Sequence, residues 1–451
     1  MARMFGTDGV RGVANLEPVS PEVALALGRA AVHVLASSSS MTKPCLVLGR
    51  DTRLSGSMLE AALTAGICSA GGDILNVGVL PTAGVAYLTR SIGAVAGVMI
   101  SASHNPYMDN GMKFFSAEGT KLEDHLEDAI EACMHTSSAE RRPTGEAIGR
   151  VLFDEAPATR YIDFLTETFH YKLPLSLRIG IDCANGAASA IAPDVFTRLG
   201  AQVRVWHATP DGRNINEQCG SLYPEFLRQK VLDEGLDVGF TFDGDADRLI
   251  AIDHTGDVLD GDYILAICAQ ALPAVDPPSQ HVVVSTVMAN LGLDQALREL
   301  GIELYKTQVG DKYVMQAMRQ KGATLGGEQS GHIIFLNHHT TGDGLLTAVQ
   351  ILNAMAAQNC PLAELAQIMH KFPQILVNVK LCKRHNPLNV PRVQDAVQYA
   401  EEVLGHEGRV LVRLSGTELV ARVMVEGPDQ ATIEPLAQRI AQAIISELGV
   451  L

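Results

Sequence analysis

The chain has 451 residues, of which 47% are apolar and 19% charged, which is the composition of a globular protein and excludes a disordered chain. At about 100–200 residues per domain, this length predicts three or four domains. The net charge of −16 argues against a general binder of nucleic acid or anionic membranes, although an anionic substrate could still bind at a locally basic site.

Short apolar runs alternate with helical patterns through the first three quarters of the chain. The first block has predicted strands at 45–49, 73–79 and 94–100 and a helix at 57–70. The second has strands at 177–182, 201–206 and 236–242 and a helix near 188–199, and the third has strands at 281–287 and 323–326 and a helix around 291–300. This alternation predicts three consecutive α/β domains with mixed, mostly parallel sheets.

The pattern changes after residue 370. Strands are predicted at 374–382, 409–413 and 420–426 without long helices between them, followed by a final helix that begins after Asp429 and ends before Gly449. We therefore expect a smaller C-terminal α+β domain. The predicted domains are 1–152, 153–253, 254–370 and 371–451, with loops at 136–149 and 273–279.

The cysteines and the apolar segments predict a cytoplasmic protein. The eight cysteines form no Cys-x-x-Cys pair, which is typical of buried free thiols in a reducing compartment. The N-terminus has no apolar segment of the secretory type. The longest uncharged run, 344–363, contains several amides and Pro361, so it predicts a core helix and not a membrane span.

A serine and a histidine follow the strand predicted at 94–100, in the segment Ser101-Ala102-Ser103-His104-Asn105-Pro106. Ligands of open α/β sheets bind at the carboxyl ends of strands, and Pro106 keeps this segment from continuing as a helix. Ser103 would thus lie on a loop beside an imidazole, which favours a nucleophilic or phosphoryl-carrying serine. The alternative is a turn serine that binds its own backbone, and this segment alone leaves both open.

Three carboxylates alternate directly after the strand predicted at 236–242, in Asp243-Gly244-Asp245-Ala246-Asp247-Arg248. Neighbouring carboxylates repel unless a cation neutralises them, and carboxylate ligation favours Mg²⁺, Ca²⁺ or Mn²⁺. An EF-hand is excluded, because Arg248 and His254 stand where it requires Gly and Glu. We predict a metal site here, the alternative being a solvated acidic turn.

Two later segments are ambiguous on their own. The first, Gly326-Gly327-Glu328-Gln329-Ser330-Gly331-His332, has hydrogen-bonding groups suited to the hydroxyls or the amine of a sugar, but a polar turn has the same composition. The second, Arg413-Leu414-Ser415-Gly416-Thr417-Glu418 with Arg422 beyond it, has the composition of a phosphate cradle or of a hairpin turn with exposed arginines.

Two glycine-bounded basic clusters lie near the N-terminus, in Phe5-Gly6-Thr7-Asp8-Gly9-Val10-Arg11-Gly12 and in Gly49-Arg50-Asp51-Thr52-Arg53. Each is equally well explained by a structural role. The chain has no P-loop, no Gly-x-Gly-x-x-Gly and no His-Glu-x-x-His motif, so any phosphate chemistry is predicted not to be driven by a nucleotide.

Together these segments resemble the α-D-phosphohexomutase superfamily, whose serine, metal, sugar and phosphate loops occur here in the family's order. The opening segment, Gln329 and Thr340-Thr341-Gly342-Asp343-Gly344 resemble the branch that acts on glucosamine phosphates. The resemblance implies three α/β domains and a smaller α+β domain arranged around a central cleft, to which each domain contributes one loop.

The resemblance also implies a reaction, the interconversion of glucosamine 6-phosphate and glucosamine 1-phosphate for UDP-N-acetylglucosamine and cell-wall precursors. A phosphoryl group on Ser103 would pass to O1 of the sugar, and the 6-phosphate of the resulting hexosamine 1,6-bisphosphate, which is intermediate and activator, would return to Ser103. One Mg²⁺ per subunit and a small-molecule phosphosugar are implied, with no nucleic-acid or membrane partner. A homodimer is compatible with the sequence.

Individual residues acquire roles from the same resemblance. The residues implied to hold the metal are Ser103, Asp243, Asp245 and Asp247. Those implied around the reacting group are Arg11, His104, Lys113 and Arg248, with Lys113 as the candidate general base. Those implied to bind the sugar and its unreacted phosphate are Glu328, Ser330, His332, Arg413, Ser415, Gly416, Thr417 and Arg422.

Three other functions remain as alternatives. Phosphoglucomutase or phosphomannomutase activity would use the same chemistry on another sugar, and only Gln329 disfavours it. A noncatalytic sugar-phosphate-binding protein is disfavoured by the intact serine and carboxylates. A metal-dependent phosphatase would release inorganic phosphate in excess of isomerised product.

Overall fold

The computed structural model describes residues 3–6, 8–36, 43–135, 142–154, 156–174, 176–272, 281–414 and 419–449. The chain forms two compact units, unit 1 with Met1–Met288 and Gly301–Ile368 and unit 2 with Ala289–Leu300 and Met369–Leu451. The loop predicted at 273–279 lies outside the described residues, as do residues 136–141 of the loop predicted at 136–149.

The first sheet of unit 1 has six strands. Its elements in chain order are β1 (Val10–Val13), α1 (Pro21–Leu35), β2 (Cys45–Arg50), α2 (Gly56–Ser69), β3 (Asp73–Val79), α3 (Thr82–Ser91), β4 (Ala96–Ile100), β5 (Asp109–Ser116), α4 (Asp124–His135) and β6 (Val151–Phe153). The strand order is β1-β5-β4-β2-β3-β6, and β5 is antiparallel to both neighbours while β4, β2, β3 and β6 are parallel. The predicted strands and helix of this block are confirmed, whereas β1, β5 and β6 had not been predicted.

The second sheet has five strands. Its elements are α5 (Pro157–Glu167), β7 (Arg178–Asp182), α6 (Ala192–Arg198), β8 (Gln202–Trp206), α7 (Glu225–Glu234), β9 (Val238–Phe242), β10 (Leu249–Asp253) and β11 (Val258–Leu259). In the order β11-β10-β9-β7-β8, the last three are parallel and the first two antiparallel. The helix predicted near 188–199 is divided into a 3₁₀ turn, Ala187–Ala190, and α6, because Pro193 fits only the first turn of a helix.

The third sheet has four strands. The elements are α8 (Gly261–Gln270), β12 (Val282–Thr286), α9 (Leu291–Glu299), β13 (Glu303–Thr307), α10 (Asp311–Lys321), β14 (Leu325–Gly327), β15 (Ile333–Phe335), α11 (Gly344–Gln358) and α12 (Leu362–Leu365). The order is β13-β12-β14-β15 with only β15 antiparallel. Most of α11 is buried, which confirms the predicted core helix. No helix among the described residues has the length and apolarity required to cross a membrane.

Unit 2 contains an antiparallel sheet, in agreement with the predicted α+β domain. Besides α9, its elements are β16 (Gln374–Lys380), α13 (Pro391–Leu404), β17 (Arg409–Leu414), β18 (Val420–Glu426) and α14 (Gln430–Leu448), with β18 in the centre of the sheet. The expectation of no long helix between these strands was wrong. Pro391 opens α13, and its buried residues repeat at helical spacing: Val393, Ala396, Ala400 and Leu404. Asp429 caps α14 as predicted, accepting a 2.8 Å hydrogen bond from Thr432 N.

His339 is a fully buried histidine of unit 1. Its Nε2 lies 2.8 Å from Ala83 O, and its Nδ1 accepts a 2.8 Å hydrogen bond from Thr340 N. The ring is therefore neutral, with its hydrogen on Nε2. Burial lowers the pKa of His339 from 6.5 to about 4.

We expect His339 to reduce the stability of the protein as the pH falls from 6.5 to about 4, because the unfolded chain then takes up a proton that the folded chain does not. The full effect is about 3 kcal/mol. Free energies of unfolding measured from pH 7 to pH 4 should fall more steeply for the wild type than for His339→Gln. The exposed His406→Gln serves as the control. A difference between wild type and His339→Gln that does not change with pH would contradict the neutral ring.

Candidate active site

Ser103 lies in the loop that follows β4, with its side chain buried among polar groups. Its Oγ donates a 2.5 Å hydrogen bond to Asp243 Oδ2 and lies 3.3 Å from His104 Nδ1. Its backbone has a φ of 52°, in the left-handed region that is unfavourable for residues other than glycine. The surrounding hydrogen bonds must therefore hold this conformation in place.

Arg53 provides most of those hydrogen bonds. Its buried guanidinium donates to the carbonyl oxygens of Ser103 and Asn105 at 2.8 Å each, and also to those of Pro106 and Asp109. Asp51 accepts from Arg53 Nε at 2.9 Å. The loop is thus fixed by one planar group whose five N–H donors suit several acceptors at once.

We expect Arg53→Met to lower the free energy of unfolding by about 3–5 kcal/mol, because it leaves Asp51 as a buried charge without its counterion. Arg50→Met is the matched control. Arg50 is 26% exposed and pairs with Glu60 at 2.6 Å, so its removal should cost at most about 1 kcal/mol. Denaturant unfolding at neutral pH measures both variants, and equal losses would show that Arg53 does not hold the loop.

The three predicted metal-binding carboxylates converge at the end of β9. An oxygen from each of Asp243, Asp245 and Asp247 lies within 4.8 Å of the others, and all three residues are buried. Asp245 Oδ1 and Asp247 Oδ1 are buried oxygens without a hydrogen-bond partner. Buried oxygens of this kind are unfavourable unless a cation or another donor approaches them, so the residues fit a hard divalent cation.

The electrostatics of the cluster also favour a cation. Burial and the two neighbouring carboxylates raise the pKa of Asp243 well above its ordinary value. Burial alone would also raise the pKa of Asp247, but Lys113 and His332 outweigh it and hold that pKa below its ordinary value. The positive charge near Asp243 is therefore too small to offset its burial and its two carboxylate neighbours.

Lys113, on β5, is the main counterion of this cluster. Its Nζ lies 2.7 Å from Asp245 Oδ2, 3.2 Å from Asp8 Oδ2 and 3.6 Å from Asp247 Oδ2. Burial by itself lowers the pKa of Lys113, but these carboxylates outweigh it and raise that pKa above its ordinary value. Lys113 is thus an ammonium ion.

His104 and Arg248 flank the serine and the carboxylates. Burial, with Arg248 and Arg11 nearby, lowers the pKa of His104 from 6.5 to about 4, so its ring is neutral near pH 7. Arg248 donates its backbone N–H to Asp243 Oδ1 at 3.2 Å, and its side-chain Nε is buried without a hydrogen-bond partner. Asp247 Oδ1, at 3.8 Å from this nitrogen, is too distant to accept a hydrogen bond, so the nitrogen is suited to an anionic ligand.

Asp8 and Lys121 extend this network, and sequence reasoning had given neither a role. Asp8 binds Arg11 and Lys121, and Lys121 also pairs with Asp311. The sequence signal for Asp8 is its position as an acidic residue in the glycine-rich opening segment. The signal for Arg53 is its position as a basic residue in the glycine-bounded segment 49–53. Lys121 carried no such signal.

The predicted sugar-binding residues line the same side of unit 1. His332 Nδ1 lies 3.6 Å from Asp247 and its Nε2 3.6 Å from Asp311. Glu328 accepts a 3.1 Å hydrogen bond from Gly310 N, and Ser330 Oγ is buried without a partner. Beside them is a cavity of about 530 Å³, within the range of small-molecule sites, lined by residues that include Lys121, Asp124, Asp311, Lys312, Tyr313 and His332.

Unit 2 carries the predicted phosphate-binding arginines. Arg413 and Arg422 face each other across the antiparallel pair β17 and β18. Burial and Arg422 lower the pKa of Arg413, as expected where two cations lie side by side. The other predicted members of this site, Ser415, Gly416 and Thr417, lie outside the described residues.

Comparison with known proteins finds the same architecture along nearly the whole chain. Residues 2–141, 159–256 and 260–372 match alpha/beta/alpha domains I, II and III of phosphoglucomutase/phosphomannomutase, and residues 376–443 match its C-terminal domain. A phosphoglucosamine mutase of Desulforamulus reducens is 49% identical, with 98% of this chain and 99% of that protein covered. One of Moorella thermoacetica is 51% identical, with 98% and 100% covered.

Solved structures agree with these matches. A phosphoglucomutase/phosphomannomutase family protein from Burkholderia thailandensis superposes with a TM-score of 0.80 at 25% identity, covering 99% of each chain. An N-acetylphosphoglucosamine mutase of Aspergillus fumigatus, in complex with GlcNAc-6P and magnesium, has a TM-score of 0.64 at 17% identity, covering 98% of this chain and 95% of that one. The second likeness concerns the fold alone.

Proposed function

Because this chain belongs to the phosphoglucomutase/phosphomannomutase family, we propose that it interconverts glucosamine 6-phosphate and glucosamine 1-phosphate through a phosphorylated serine. The observation that carries the proposal is the 2.5 Å contact between Ser103 Oγ and Asp243, within the cluster of carboxylates. The choice of glucosamine rests on relatives named phosphoglucosamine mutase at 49–51% identity.

The proposed reaction moves one phosphoryl group at a time. The P–O bond to Ser103 breaks and a P–O bond to the sugar O1 forms, while O1 loses a proton and the Ser103 oxygen takes one up. The 1,6-bisphosphate then reorients, its 6-phosphoryl group returns to Ser103, the Ser103 oxygen loses its proton, and O6 takes one up. Each cycle leaves the serine phosphorylated and consumes no nucleotide, so catalysis depends on positioning and charge stabilisation.

We propose Mg²⁺ as the metal, held by Asp243, Asp245, Asp247 and the phosphate on Ser103, because these ligands offer only oxygen atoms. When bound, it neutralises negative charge on the phosphoryl group. Arg11 and Arg248 are proposed to add positive charge near the same group.

Lys113 is the proposed base for the attacking hydroxyl. A base must be neutral, whereas Asp245 and Asp8 stabilise the ammonium form of Lys113. The proposal therefore requires these carboxylates to be neutralised when the sugar reacts. His104, neutral and 3.3 Å from Ser103 Oγ, is proposed to hydrogen-bond the serine oxygen as it becomes the leaving group.

The remaining roles concern binding of the sugar. Glu328, Ser330 and His332 are proposed to hold its hydroxyls and amine, and the buried, unpartnered Ser330 Oγ supports this. The proposed ligands of the unreacted phosphate are Arg413, Ser415, Gly416, Thr417 and Arg422. We propose the cytoplasm as the compartment, because all eight cysteines are free thiols. A homodimer stays a prediction.

The sugar is tested by phosphorus NMR of the protein with Mg²⁺ and a trace of hexose 1,6-bisphosphate. Glucosamine, glucose and mannose 6-phosphates are supplied in separate tubes. We expect glucosamine 1-phosphate to appear fastest. A preference for glucose or mannose would overturn the amino-sugar assignment and keep the mutase chemistry. Inorganic phosphate in excess of isomerised product would point to a phosphatase.

A further inference from the structure

A second group of metal-ligating side chains lies at the carboxyl edge of the second sheet. It consists of Asp182, His207 and Cys219, each with one ligand atom within 4.8 Å of the others. Asp182 is the last residue of β7, and His207 directly follows its parallel neighbour β8. Cys219 comes from the loop that follows, and Gly220 N from this loop donates to Asp182 Oδ2 at 3.1 Å. Three different parts of the chain thus converge on one point.

Within this group the carboxylate is held by backbone hydrogen bonds, since Asp182 Oδ1 accepts from Ala184 N at 2.9 Å and Oδ2 from Gly220 N at 3.1 Å, whereas the ring nitrogen of His207 is not. Asp182 Oδ2 lies 3.0 Å from His207 Nδ1, yet this nitrogen is buried and has no hydrogen-bond partner. Ligand atoms bound to one tetrahedral zinc ion, with bonds of about 2.0–2.3 Å, lie roughly 3.3–3.8 Å apart. The 3.0 Å between Asp182 Oδ2 and His207 Nδ1 is shorter than this spacing, so the two atoms would have to move apart by roughly 0.3 Å or more to share one ion.

The chemistry of the ligands selects the kind of ion. The carboxylates at Asp243, Asp245 and Asp247 offer oxygen alone, whereas this group offers sulfur, nitrogen and oxygen. Thiolate and imidazole favour zinc over magnesium or calcium. Cys219 lies buried beside Asp182, and an ion of high thiolate affinity would displace the thiol proton on binding.

The loop between His207 and Cys219 reaches the serine loop. Asn216, within it, donates from Nδ2 to Ser103 O at 2.9 Å and to Asn105 O at 3.1 Å. Its backbone N–H donates to Ala184 O at 2.9 Å, two residues after Asp182. An ion that joins Asp182 to both ends of the loop would fix Asn216 against the carbonyl of Ser103.

We propose that Asp182, His207 and Cys219 form a second metal site that binds zinc and secures the loop carrying Asn216. The site is separate from the proposed magnesium site, and it does not depend on the reaction the protein catalyses.

Cobalt(II) is the probe, because a thiolate ligand gives it a charge-transfer band in the near ultraviolet. The full-length protein is freed of metal, saturated with Mg²⁺ and titrated with Co²⁺. We expect one equivalent to produce the band, equimolar Zn²⁺ to remove it, and Zn²⁺ to raise the midpoint of thermal unfolding. Absence of the band in the wild type would overturn the proposal.

Variants assign the ligands. Cys219→Ser should abolish the band, and His207→Gln should weaken Co²⁺ binding at least tenfold. His207 is 26% exposed, so this variant keeps the test valid if Cys219→Ser fails to fold. Cys268→Ala, at a buried cysteine in α8, is the matched control and should keep the band. A band that survives unchanged in both Cys219→Ser and His207→Gln would assign the cobalt to another cysteine and contradict the site.

Discussion

Replacement of Ser103 by alanine should lower kcat by at least about a thousandfold while the protein remains folded. The change deletes one oxygen and introduces no new contact. It removes the only atom of the serine that can carry a phosphoryl group, together with a donor to Asp243. The rate of sugar-phosphate isomerisation measures the loss, and a midpoint of thermal unfolding close to that of the wild type shows that the fold persists.

Ser101→Ala is the matched control for this variant. Ser101 Oγ is also buried, accepts from Ser103 N at 2.9 Å and donates to Asp51 at 2.7 Å, but it does not contact the carboxylate cluster. Its loss should relax the loop and cost about tenfold in rate, as expected of one hydrogen bond. Labelled hexose 1,6-bisphosphate should phosphorylate the wild type and Ser101→Ala but not Ser103→Ala. Turnover retained in Ser103→Ala would remove the phosphoserine from the mechanism.

The serine and metal loops could be predicted because each follows a strand that is recognisable locally. All five residues of β4 and all five of β9 are buried, and Thr241 in β9 is the one polar residue among them, so each run stops where the polar segment begins. Ser103 and Asp243 then follow from the rule that ligands bind at carboxyl ends of parallel strands. Their direct contact, across 140 residues of sequence, was implied only by the resemblance.

The groups that support the serine could not be predicted from local pattern, because their partners are distant in sequence, and Lys113 was implied only by the resemblance. Arg53 reaches carbonyl groups about 50 residues away, and Lys113 meets Asp245 across 132 residues. Lys113 also lies on β5, and its charge prevented the recognition of this otherwise buried strand. Its position depends on the antiparallel register that pairs it with Met99, and local sequence does not specify that register.

In unit 2, the helix α13 was not predicted, because some of its buried residues are small. The buried positions of α13 include Ala396 and Ala400, and its other positions are largely polar, so the apolar period was weak.

The segment 289–300 posed a different difficulty. Local pattern correctly predicted a helix there, but α9 belongs to unit 2, where Leu291 N donates to Glu426 at 2.9 Å. The unit into which a helix packs depends on tertiary contacts, and the periodic pattern of its residues does not predict those contacts.

Removal of divalent cations by a strong chelator should lower kcat by at least about a thousandfold, and added Mg²⁺ should restore it. The transferred phosphoryl group brings negative charge to three buried carboxylates, and Lys113 and Arg248 are too few to offset all of it. One ion contact at about 4 Å and an effective dielectric constant of about 20 is worth about 4 kcal/mol, or roughly three orders of magnitude in rate. Undiminished turnover in the chelator would exclude the metal from the reaction.

Asp245→Asn tests whether this cluster is the place where the metal acts. Asp245 Oδ2 already accepts from Thr82 at 2.5 Å and Lys113 at 2.7 Å, so Oδ1 is the oxygen left for a cation. The amide lacks the charge, and half-maximal activity should require at least about tenfold more Mg²⁺. Asp253→Asn is the matched control, since Asp253 is equally buried but binds backbone N–H groups of Thr255 and Asp257. If both variants required the same Mg²⁺ as the wild type, the metal would have to bind elsewhere, because only Asp245 belongs to the cluster.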